Sequence, residues 1–347
     1  MVLDVIIESV DKKLVSKLEQ LVSNFVGRKV LVIGDIVADQ YLDGTITRVS
    51  REAPVFILRH DETRTFPGAA SNAAANVASL GASVSLVGIL GDDEVGRKLS
   101  ETFLKLKIDD SGLVRDTGNR TTTKVRVLGG QPHASRQQVI RIDYECRKPS
   151  AEVETALIEK LRSGIAESDA VIVSDYGYGV ISKKVFAEVQ LIAKAKGIPV
   201  IVDSRFGLGA LSGATSATPN QEEVEALLGR GFSHSDCESL RNKLELTSLL
   251  VTNGNKGMTL FESDREPLSL DVVGSSSAVD VTGAGDTVIA TYALSLAAGA
   301  SFADAATIAN HAGGIVVMKK GTATVNREEL INSIKTMPEP TAATSNG

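Results

Sequence analysis

The alternation of short apolar runs with helical patterns over residues 151–252 is the feature that most constrains how this chain can fold. Helical spacing of apolar residues at 151–166, 182–196 and 221–228 alternates with apolar runs at 170–174, 199–203 and 248–252. Two earlier runs, Lys29–Gly34 and 84–89, are continuously apolar, as is typical of strands buried on both faces of a parallel sheet. The pattern predicts βαβ units with right-handed crossovers, and therefore an α/β fold.

Two other segments, 41–66 and 121–144, are polar and rich in β-branched residues, with short alternating pieces and no helical spacing. They predict a small inserted β-sheet, a discontinuous lid formed by about 40–66 and 120–145 that closes over a substrate and excludes water. The main domain is expected over 27–336. A helical extension is expected over 1–26 and a disordered tail over 337–347.

The composition excludes several classes of protein. The net charge of −6 argues against a nucleic-acid-binding protein. Cys146 and Cys237 lie far apart without a C-x-x-C pair, which excludes a disulfide framework and a thiolate zinc site and fits a reducing cytosol. Asp4 and Glu8 interrupt the apolar N-terminus, so it is not a signal peptide, and the uncharged run 287–303 is too short to span a bilayer. We therefore expect a cytoplasmic protein with no membrane partner.

The strongest functional signal covers residues 279–289, where a polar turn with two glycines precedes an acid and a long apolar run. Gly283 and Gly285 let the backbone approach a ligand closely. The residues after them are predicted to form a first helical turn, whose unpaired N–H groups and dipole favour an anion. A bound anion repels Asp286, so the role that fits this acid best is to accept a proton from a hydroxyl that attacks a phosphoryl group.

Each motif also has a purely structural interpretation. Thr282 fits a helix N-cap. Asn220 fits another, with Glu223 at the capping-box position. Asn72 fits a polar surface residue of an Ala-rich helix, and the turn over 252–257 fits a hairpin. Taken one at a time, these motifs leave both interpretations open.

Taken together, the motifs resemble those of the PfkB (ribokinase-like) carbohydrate kinases over residues 27–335. Within that family they are most similar to the heptose 7-phosphate kinases of lipopolysaccharide precursor synthesis. The resemblance is carried by Gly34-Asp35-x3-Asp39-x-Tyr41, Arg48-x-Ser50-x-Glu52-Ala53-Pro54-Val55, Pro67-Gly68, Gln137-Gln138-x-Ile140-Arg141-x-Asp143, Ser174-Asp175-Tyr176, Thr218-Pro219-Asn220-x2-Glu223, Val251-Thr252-x-Gly254-x2-Gly257-Met258 and Asp280-x-Thr282-Gly283-Ala284-Gly285-Asp286. The last string is long and specific, which favours function over simple helix capping.

The resemblance implies a ribokinase-like three-layer α/β/α fold with a mainly parallel central sheet and the small β lid. It implies transfer of the γ-phosphoryl group of ATP, with Mg²⁺, to a hydroxyl of a small sugar or sugar phosphate. Asp286 is then the catalytic base. The amides expected to stabilise the transferring group are those of Gly283, Ala284 and Gly285. The residues expected to contact the sugar are Asp39, Gly68, Asn72 and Arg141. Those expected on the ATP side are Asn220, Glu223, Thr252, Gly254, Gly257 and Asn310.

The resemblance also implies two cation sites. Glu223 is expected to act on Mg²⁺ indirectly, through the Asn-x-x-Glu element that organises the metal and the phosphates. Asp280 is expected to lie near a monovalent cation, K⁺, which is common in the family. Some of these kinases carry a nucleotidyl-transferring domain, which is not expected within these 347 residues.

The chain departs from the heptose kinases at three positions. Ala69 replaces the second glycine of a Gly-Gly-Ala-Ala-Asn string, Tyr178 replaces a lysine, and Arg205 replaces the lysine of an Asp-Pro-Lys string. The two lysine changes alter phosphate binding rather than transfer chemistry. The acceptor therefore stays open between a heptose 7-phosphate, phosphorylated at position 1, and an unphosphorylated sugar as in ribokinases and fructokinases. A non-catalytic sugar- or nucleotide-sensing module is a third interpretation, against which the intact Asp286 argues.

The lid and the position of Asp286 lead to two further expectations. The lid offers a strand edge and an apolar face that are costly to expose, so we expect a homodimer in which lids pair. Asp286, at the positive end of a helix, is expected to be ionised at neutral pH and to be a weak base that takes its proton late in the reaction.

Overall fold

The computed structural model describes residues 2–131, 136–274 and 277–337, with side chains described from residue 12 onward. The helices are α1 (Val2–Ser23), α2 (Ala70–Ser79), α3 (Glu94–Leu106), α4 (Ala151–Ala166), α5 (Lys183–Lys196), α6 (Gln221–Leu228), α7 (His234–Lys243), α8 (Ala284–Ala297), α9 (Phe302–Val316) and α10 (Arg327–Lys335). The strands are β1 (Lys29–Gly34), β2 (Ile36–Val49), β3 (Phe56–Ala69), β4 (Ser83–Gly91), β5 (Asp109–Asp116), β6 (Thr122–Gly130), β7 (Gln137–Tyr144), β8 (Ala170–Asp175), β9 (Val200–Ser204), β10 (Ser216–Ala217), β11 (Ser248–Thr252), β12 (Met258–Glu262) and β13 (Leu268–Leu270). From residue 338 onward, the predicted disordered tail lies outside the described residues.

Nine of these strands form one sheet in the order β13-β12-β11-β10-β9-β8-β1-β4-β5. Every pair from β11 to β5 is parallel. The edge strands β12 and β13 are antiparallel to their neighbours. The mainly parallel sheet confirms the predicted α/β class, and helices connect its strands as the alternating pattern indicated.

The sheet is buried on both faces, which explains why its strands are apolar runs without alternation. Val30 and Val32 of β1 pack in a core with residues of α2, α8 and α9, whereas Leu31 and Ile33 pack on the opposite face with α4 and α5. The three layers of the predicted ribokinase-like fold are therefore present.

The N-terminal helix α1 packs onto the first of these cores. Leu18, Val22 and Phe25 are completely buried there, and Lys17 forms a salt bridge of 2.6 Å with Asp304, which lies in α9. Helix α1 thus covers the helical layer next to α9 and α10.

The second sheet has the order β3-β2-β6-β7, and it is the small lid of the predicted fold. Its β2–β6 pair is parallel and the other two pairs are antiparallel. The β2–β3 ladder has irregularities between Asp43 and Gly44 and between Ile46 and Arg48, and such bulges bend and twist a sheet. The edge strand β7 is exposed along its whole length.

The carboxyl ends of the central strands meet at one edge of the main sheet. Asp35 directly follows β1 and Tyr176 directly follows β8, whereas Asp203 is the last residue but one of β9 and Thr252 is the last residue of β11. Open α/β sheets bind ligands at this edge, and α8 begins there.

Candidate active site

The start of α8 requires glycine at position 283. Gly283 is the N-cap, with a φ of 78°, in the left-handed region that glycine adopts without strain. A Cβ at this position would lie 2.5 Å from the Asn72 side-chain nitrogen. The Ala284 N–H donates to the Val281 carbonyl at 3.2 Å, so one of the three amides expected to face a phosphoryl group is engaged. Gly283 and Gly285 line a cavity.

The Asp286 carboxylate is buried, with 4% of the residue exposed. Its Oδ2 accepts a hydrogen bond from Nδ2 of Asn72 at 2.8 Å, and its Oδ1 accepts one from the Tyr176 hydroxyl at 3.0 Å. Burial raises the pKa of Asp286 to about 7, although both donors act to lower it. The expectation of a weak base is therefore wrong, because desolvation outweighs the helix terminus and gives the basicity that a general base needs at neutral pH.

Two cavities meet at the start of α8. A polar cavity of about 440 Å³ lies in front of Asp286, and an apolar cavity of about 210 Å³ lies on the other side of Gly285. Thr252 and Gly285 line both cavities. A ligand that occupied both would therefore pass directly over the first turn of α8.

The apolar cavity brings together four residues predicted on the ATP side, Thr252, Gly254, Gly257 and Asn310. Asn310 is 6% exposed and donates to the Asp271 carbonyl at 2.7 Å. The remaining lining is mostly small and aliphatic. Apolar walls with a few fixed polar groups are typical of sites for flat ring ligands.

Asn220 and Glu223 cap the start of α6 and also line the polar cavity, so the capping role and the predicted binding role are compatible. They form a capping box, in which the Asn220 N–H donates to Oε2 of Glu223 at 2.9 Å and the Glu223 N–H donates to Oδ1 of Asn220 at 3.0 Å. Both also line the polar cavity. Burial raises the pKa of Glu223, so this carboxylate is held at the cavity wall in a poorly solvated position.

Asp203 is one of four acidic residues that line the polar cavity, with Glu222, Glu223 and Asp286. Burial, and then the negative charges of Glu223 and Asp286, raise the pKa of Asp203 well above its usual range. Carboxylates that repel one another in a cavity are stabilised by a divalent cation. No group of three or more His, Cys, Asp or Glu side chains in the described part of the chain is arranged to hold a metal by itself.

Three of the residues predicted to contact the sugar lie near Asp286 but line neither of the two cavities. Asp39 is buried and forms an ion pair with Arg126. A Cβ at Gly68 would lie 2.5 Å from Oδ2 of Asp39, which explains the glycine. Asn72 is buried and uses its amide on Asp286, so it is not the surface residue that its helix position alone allowed. The Asp39 charge also raises the pKa of Asp286.

Arg141 is not brought to the cavities. It lies on the exposed strand β7, with half of its side chain accessible. Its guanidinium is bound by both oxygens of Asp143 at 2.9 and 3.0 Å, and it lines neither cavity. A contact between this residue and a sugar would need a different position of the lid.

Two cations, Lys124 and Arg205, lie beside the site, where Lys124 feels the charge of Asp39 and Glu223 feels the charge of Arg205. The Lys124 ammonium, on lid strand β6, is 5.3 Å from the ring centre of Tyr176 and 5.9 Å from that of Tyr178. Burial and the nearby charge of Arg205 lower the pKa of Lys124. Arg205 lines the polar cavity. Within the described ranges neither cation forms a salt bridge, so both are available to an anionic ligand.

Asp280 joins two backbone segments. Its carboxylate accepts hydrogen bonds from the N–H groups of Thr282 and Gly321, each at 2.9 Å. Although burial acts to raise it, these bonds bring the pKa of Asp280 below its usual range. The carboxylate thus anchors the loop that leads into α8, and its predicted role near a monovalent cation stays a prediction.

Comparison with known proteins decides the family. Residues 28–329 match the model of a family described as pfkB family carbohydrate kinase. The chain belongs to this family. It is therefore a phosphotransferase whose acceptor is a sugar hydroxyl, which confirms the resemblance drawn from the motifs.

Two curated proteins match over most of the chain. It is 41% identical to the bifunctional protein HldE of Gluconobacter oxydans (strain 621H), over 92% of this chain and 67% of that protein. It is also 41% identical to the bifunctional protein HldE of Haemophilus influenzae (strain PittEE), over 92% of this chain and 66% of that protein. The chain thus spans about two thirds of the length of these relatives.

Solved structures confirm the fold. The ribokinase of Arabidopsis thaliana complexed with ribose and ATP matches with a TM-score of 0.68 and 21% identity, covering 90% of this chain and 100% of that one. Phosphofructokinase-2 of Escherichia coli in complex with substrates and products matches with a TM-score of 0.71 and 18% identity, covering 89% of this chain and 99% of that one. Such identities establish a shared fold, and no more.

The structure assigns partners to several residues that sequence analysis of this pfkB kinase left without a role. Tyr176 contacts Asp286, Arg126 pairs with Asp39, and Lys124 lies over the Tyr176 ring. One signal was available: Lys124 and Arg126 are two residues apart on a predicted strand, so they share a face. The Tyr176 contact joins segments 110 residues apart, and no local pattern indicates it.

Proposed function

We propose that this protein is an ATP-dependent kinase of a sugar phosphate. The acceptor that fits best is a heptose 7-phosphate phosphorylated at position 1, a step in the synthesis of ADP-heptose and lipopolysaccharide precursors. The observation that carries the proposal is the position of Asp286, a buried carboxylate with a pKa of about 7, where an apolar and a polar cavity meet. The sequence similarity to the HldE proteins favours this acceptor.

In the proposed reaction, ATP lies with its base in the apolar cavity and its phosphates over the first turn of α8. The acceptor hydroxyl attacks the γ-phosphorus, the bond to the β-phosphate oxygen breaks, and the hydroxyl proton passes to Asp286. The N-terminus of α8 stabilises charge on the transferring group. ATP as donor is supported by the neighbour complexed with ATP and by the size and apolar lining of the cavity.

Mg²⁺ would neutralise charge on the ATP phosphates when bound. The residues that fit it are Asp203 and Glu223, whose carboxylates line the polar cavity and repel each other there. Mg²⁺ commonly uses one or two carboxylates together with water and substrate phosphates, which agrees with an indirect role for Glu223. For K⁺ near Asp280 the support is the family resemblance alone, and initial rates in K⁺ against Na⁺ test it.

A phosphate on the acceptor is supported by Lys124 and Arg205, two cations that form no salt bridge with the residues that the structure describes. A free sugar offers them no anion, whereas a sugar phosphate carries about two negative charges and pairs with both. Arg205 and Lys124 thus take over the charge that the usual lysines supply elsewhere in the heptose kinases. The two cations therefore favour a sugar phosphate over the unphosphorylated sugars of the ribokinase-like alternative.

The test is phosphoryl transfer from ATP to sugar 7-, 6- and 1-phosphates and to the matching free sugars. We expect kcat/KM to be highest for a heptose 7-phosphate. Because the Lys124 charge also lowers the pKa of Asp286, the comparison is made at pH 8, above that pKa. There Lys124→Met should lower kcat/KM for the heptose 7-phosphate by about tenfold or more, because a charge-assisted bond is lost, and should lower the value for free heptose much less.

Equal losses on both acceptors would refute a phosphate contact at Lys124. Preference for a free sugar would favour the ribokinase- or fructokinase-like alternative. ATP binding in calorimetry without transfer to any sugar would favour a sensing module.

We also propose a cytoplasmic homodimer. Support for pairing comes from β7, an edge strand on which Val139, Ile140, Ile142 and Tyr144 are between 40% and 53% exposed. Exposed apolar edge strands are liable to pair with another strand. No helix among the described residues is long and apolar enough to cross a membrane.

A further inference from the structure

The loop after β8 is held by two carboxylates. Asp35 is 1% exposed and accepts hydrogen bonds from the N–H groups of Tyr176 at 2.8 Å, Tyr178 at 3.1 Å and Val180 at 3.2 Å. Asp175 binds the Gly177 N–H at 3.0 Å and the Ser204 hydroxyl at 2.6 Å. Three backbone donors on one buried carboxylate fix the conformation of a loop, so the position of the Tyr176 side chain is set by the scaffold.

The loop aims the Tyr176 hydroxyl at the catalytic carboxylate. This hydroxyl donates to Oδ1 of Asp286 at 3.0 Å, and Asn72 donates to Oδ2 at 2.8 Å. An ionised carboxylate offers about four lone-pair positions, so one position on each oxygen is used by the protein. The remaining positions can accept the hydroxyl of a sugar. The two donors thus fix the plane of the carboxylate and the directions from which an acceptor can approach.

We propose that Tyr176 is a positioning residue for the catalytic step, whose hydroxyl orients the Asp286 carboxylate and favours its ionised form. This inference rests on the proposed function, in which Asp286 is the base. The phenol suits the task because burial, with the nearby charge of Asp286, raises its pKa well above the usual value. It therefore stays protonated and remains a donor over the working pH range.

A hydroxyl that donates to the ionised form of Asp286 lowers the pKa of that carboxyl. The charged and titratable groups that face Asp286 are Asp39 from β2, Lys124 from β6 and Asp203 from β9, in addition to Tyr176 itself. Tyr176→Phe leaves these groups in place and keeps the ring on which Lys124 lies. It removes one hydrogen-bond donor.

The experiment is the pH profile of kcat/KM for Tyr176→Phe, with Tyr178→Phe as the matched control. We expect the acidic limb to move to higher pH by about 1 in Tyr176→Phe, the effect of one lost bond to a charged group, so that the rate is lowest relative to wild type at acidic pH and recovers at alkaline pH. Tyr178 lies in the same loop and also faces Lys124, and its hydroxyl is not bonded to Asp286. Its variant should keep the wild-type profile.

A Tyr176→Phe profile that superimposes on wild type, or that falls equally at every pH, would overturn the inference. ATP binding in calorimetry checks that each variant is folded. Asp286→Asn tests the assignment of the base separately from the role of Tyr176. If Asp286→Asn keeps its turnover, the base assignment and the inference both fail. If it is inactive while the Tyr176→Phe limb does not move, only the inference fails.

Discussion

A carboxylate buried at the start of a helix experiences two opposed effects. The helix terminus and neighbouring donors favour the charged form, and removal from water disfavours it. At Asp286 desolvation prevails, and the pKa rises to about 7 even though Asn72 and Tyr176 donate to the two oxygens. Sequence patterns report the helix start but not the depth of burial, and for this reason they predicted the wrong basicity.

The backbone conformation of Ala69 is unfavourable for a residue with a side chain. Its φ is 50° and its ψ is −130°, a region that is costly for a residue with a Cβ. Ala69→Gly should therefore raise the free energy of unfolding by about 1 kcal/mol, part of the relief being offset by the more flexible unfolded chain. Urea denaturation measures it. The control Ala70→Gly, at the first residue of α2, should lose about 1 kcal/mol. A less stable Ala69→Gly would contradict the argument.

For single residues, the sequence predicted those site residues that belong to one short motif. Short motifs identified Gly283, Gly285 and Asp286, which line the polar cavity. The family resemblance identified four residues that line the apolar cavity, namely Thr252, Gly254, Gly257 and Asn310. The contacts of Tyr176, Lys124 and Asn72 could not be predicted, because each depends on two elements that are far apart in the sequence. Arg141 also belongs to a recognisable string, yet its strand is directed away from the cavities.

Among the elements, the buried parallel strands were the most predictable, because an apolar run bounded by turns has few other uses. Strand β1, helix α4 and strand β11 have the predicted bounds. The lid was less predictable. Residues 41–66 show only short alternating pieces, whereas β2 and β3 are 14 residues each. Both strands belong to the lid sheet, and irregularities in their pairing interrupt the alternation.

The packing of α9 on α10 contains a buried histidine that gives a pH prediction. His311 is 2% exposed and contacts the Ser333 hydroxyl at 2.8 Å, and its Nε2 has no hydrogen-bond partner among the described residues. Burial lowers the pKa of His311 to about 4 from 6.5. Because the folded pKa lies below the unfolded one, the stabilisation is complete above pH 6.5 and is lost as the pH falls towards 4.

Replacing His311→Gln should therefore reduce the loss of stability between pH 6.5 and pH 4 by on the order of 3 kcal/mol. Denaturant unfolding at several pH values measures this as a difference from wild type, so that other titrating groups cancel. Identical pH slopes for His311→Gln and wild type would show that folding does not lower the pKa of this imidazole.

At the scale of the whole molecule, the lid connects the catalytic edge with the exposed strand β7. If lids pair, the dimer should depend on the apolar side chains of that strand. Ile140→Asp, at a position 53% exposed, should convert the dimer to a monomer, because a carboxylate would be buried without a partner. Light scattering measures the mass. Leu191→Asp on α5, where the leucine is 67% exposed, is the control and should stay dimeric. A monomeric wild type would reject the proposed assembly.

The most direct test of the whole account is the turnover of Asp286→Asn in the phosphate-transfer assay. The folded pKa of Asp286, about 7, lies above its ordinary value of 3.8. The ionised carboxylate therefore costs stability above pH 7, and the amide should fold at least as well at pH 8. We predict unchanged ATP binding and a loss of about three or more powers of ten in kcat. A folded Asp286→Asn variant with near-normal turnover would contradict the central claim.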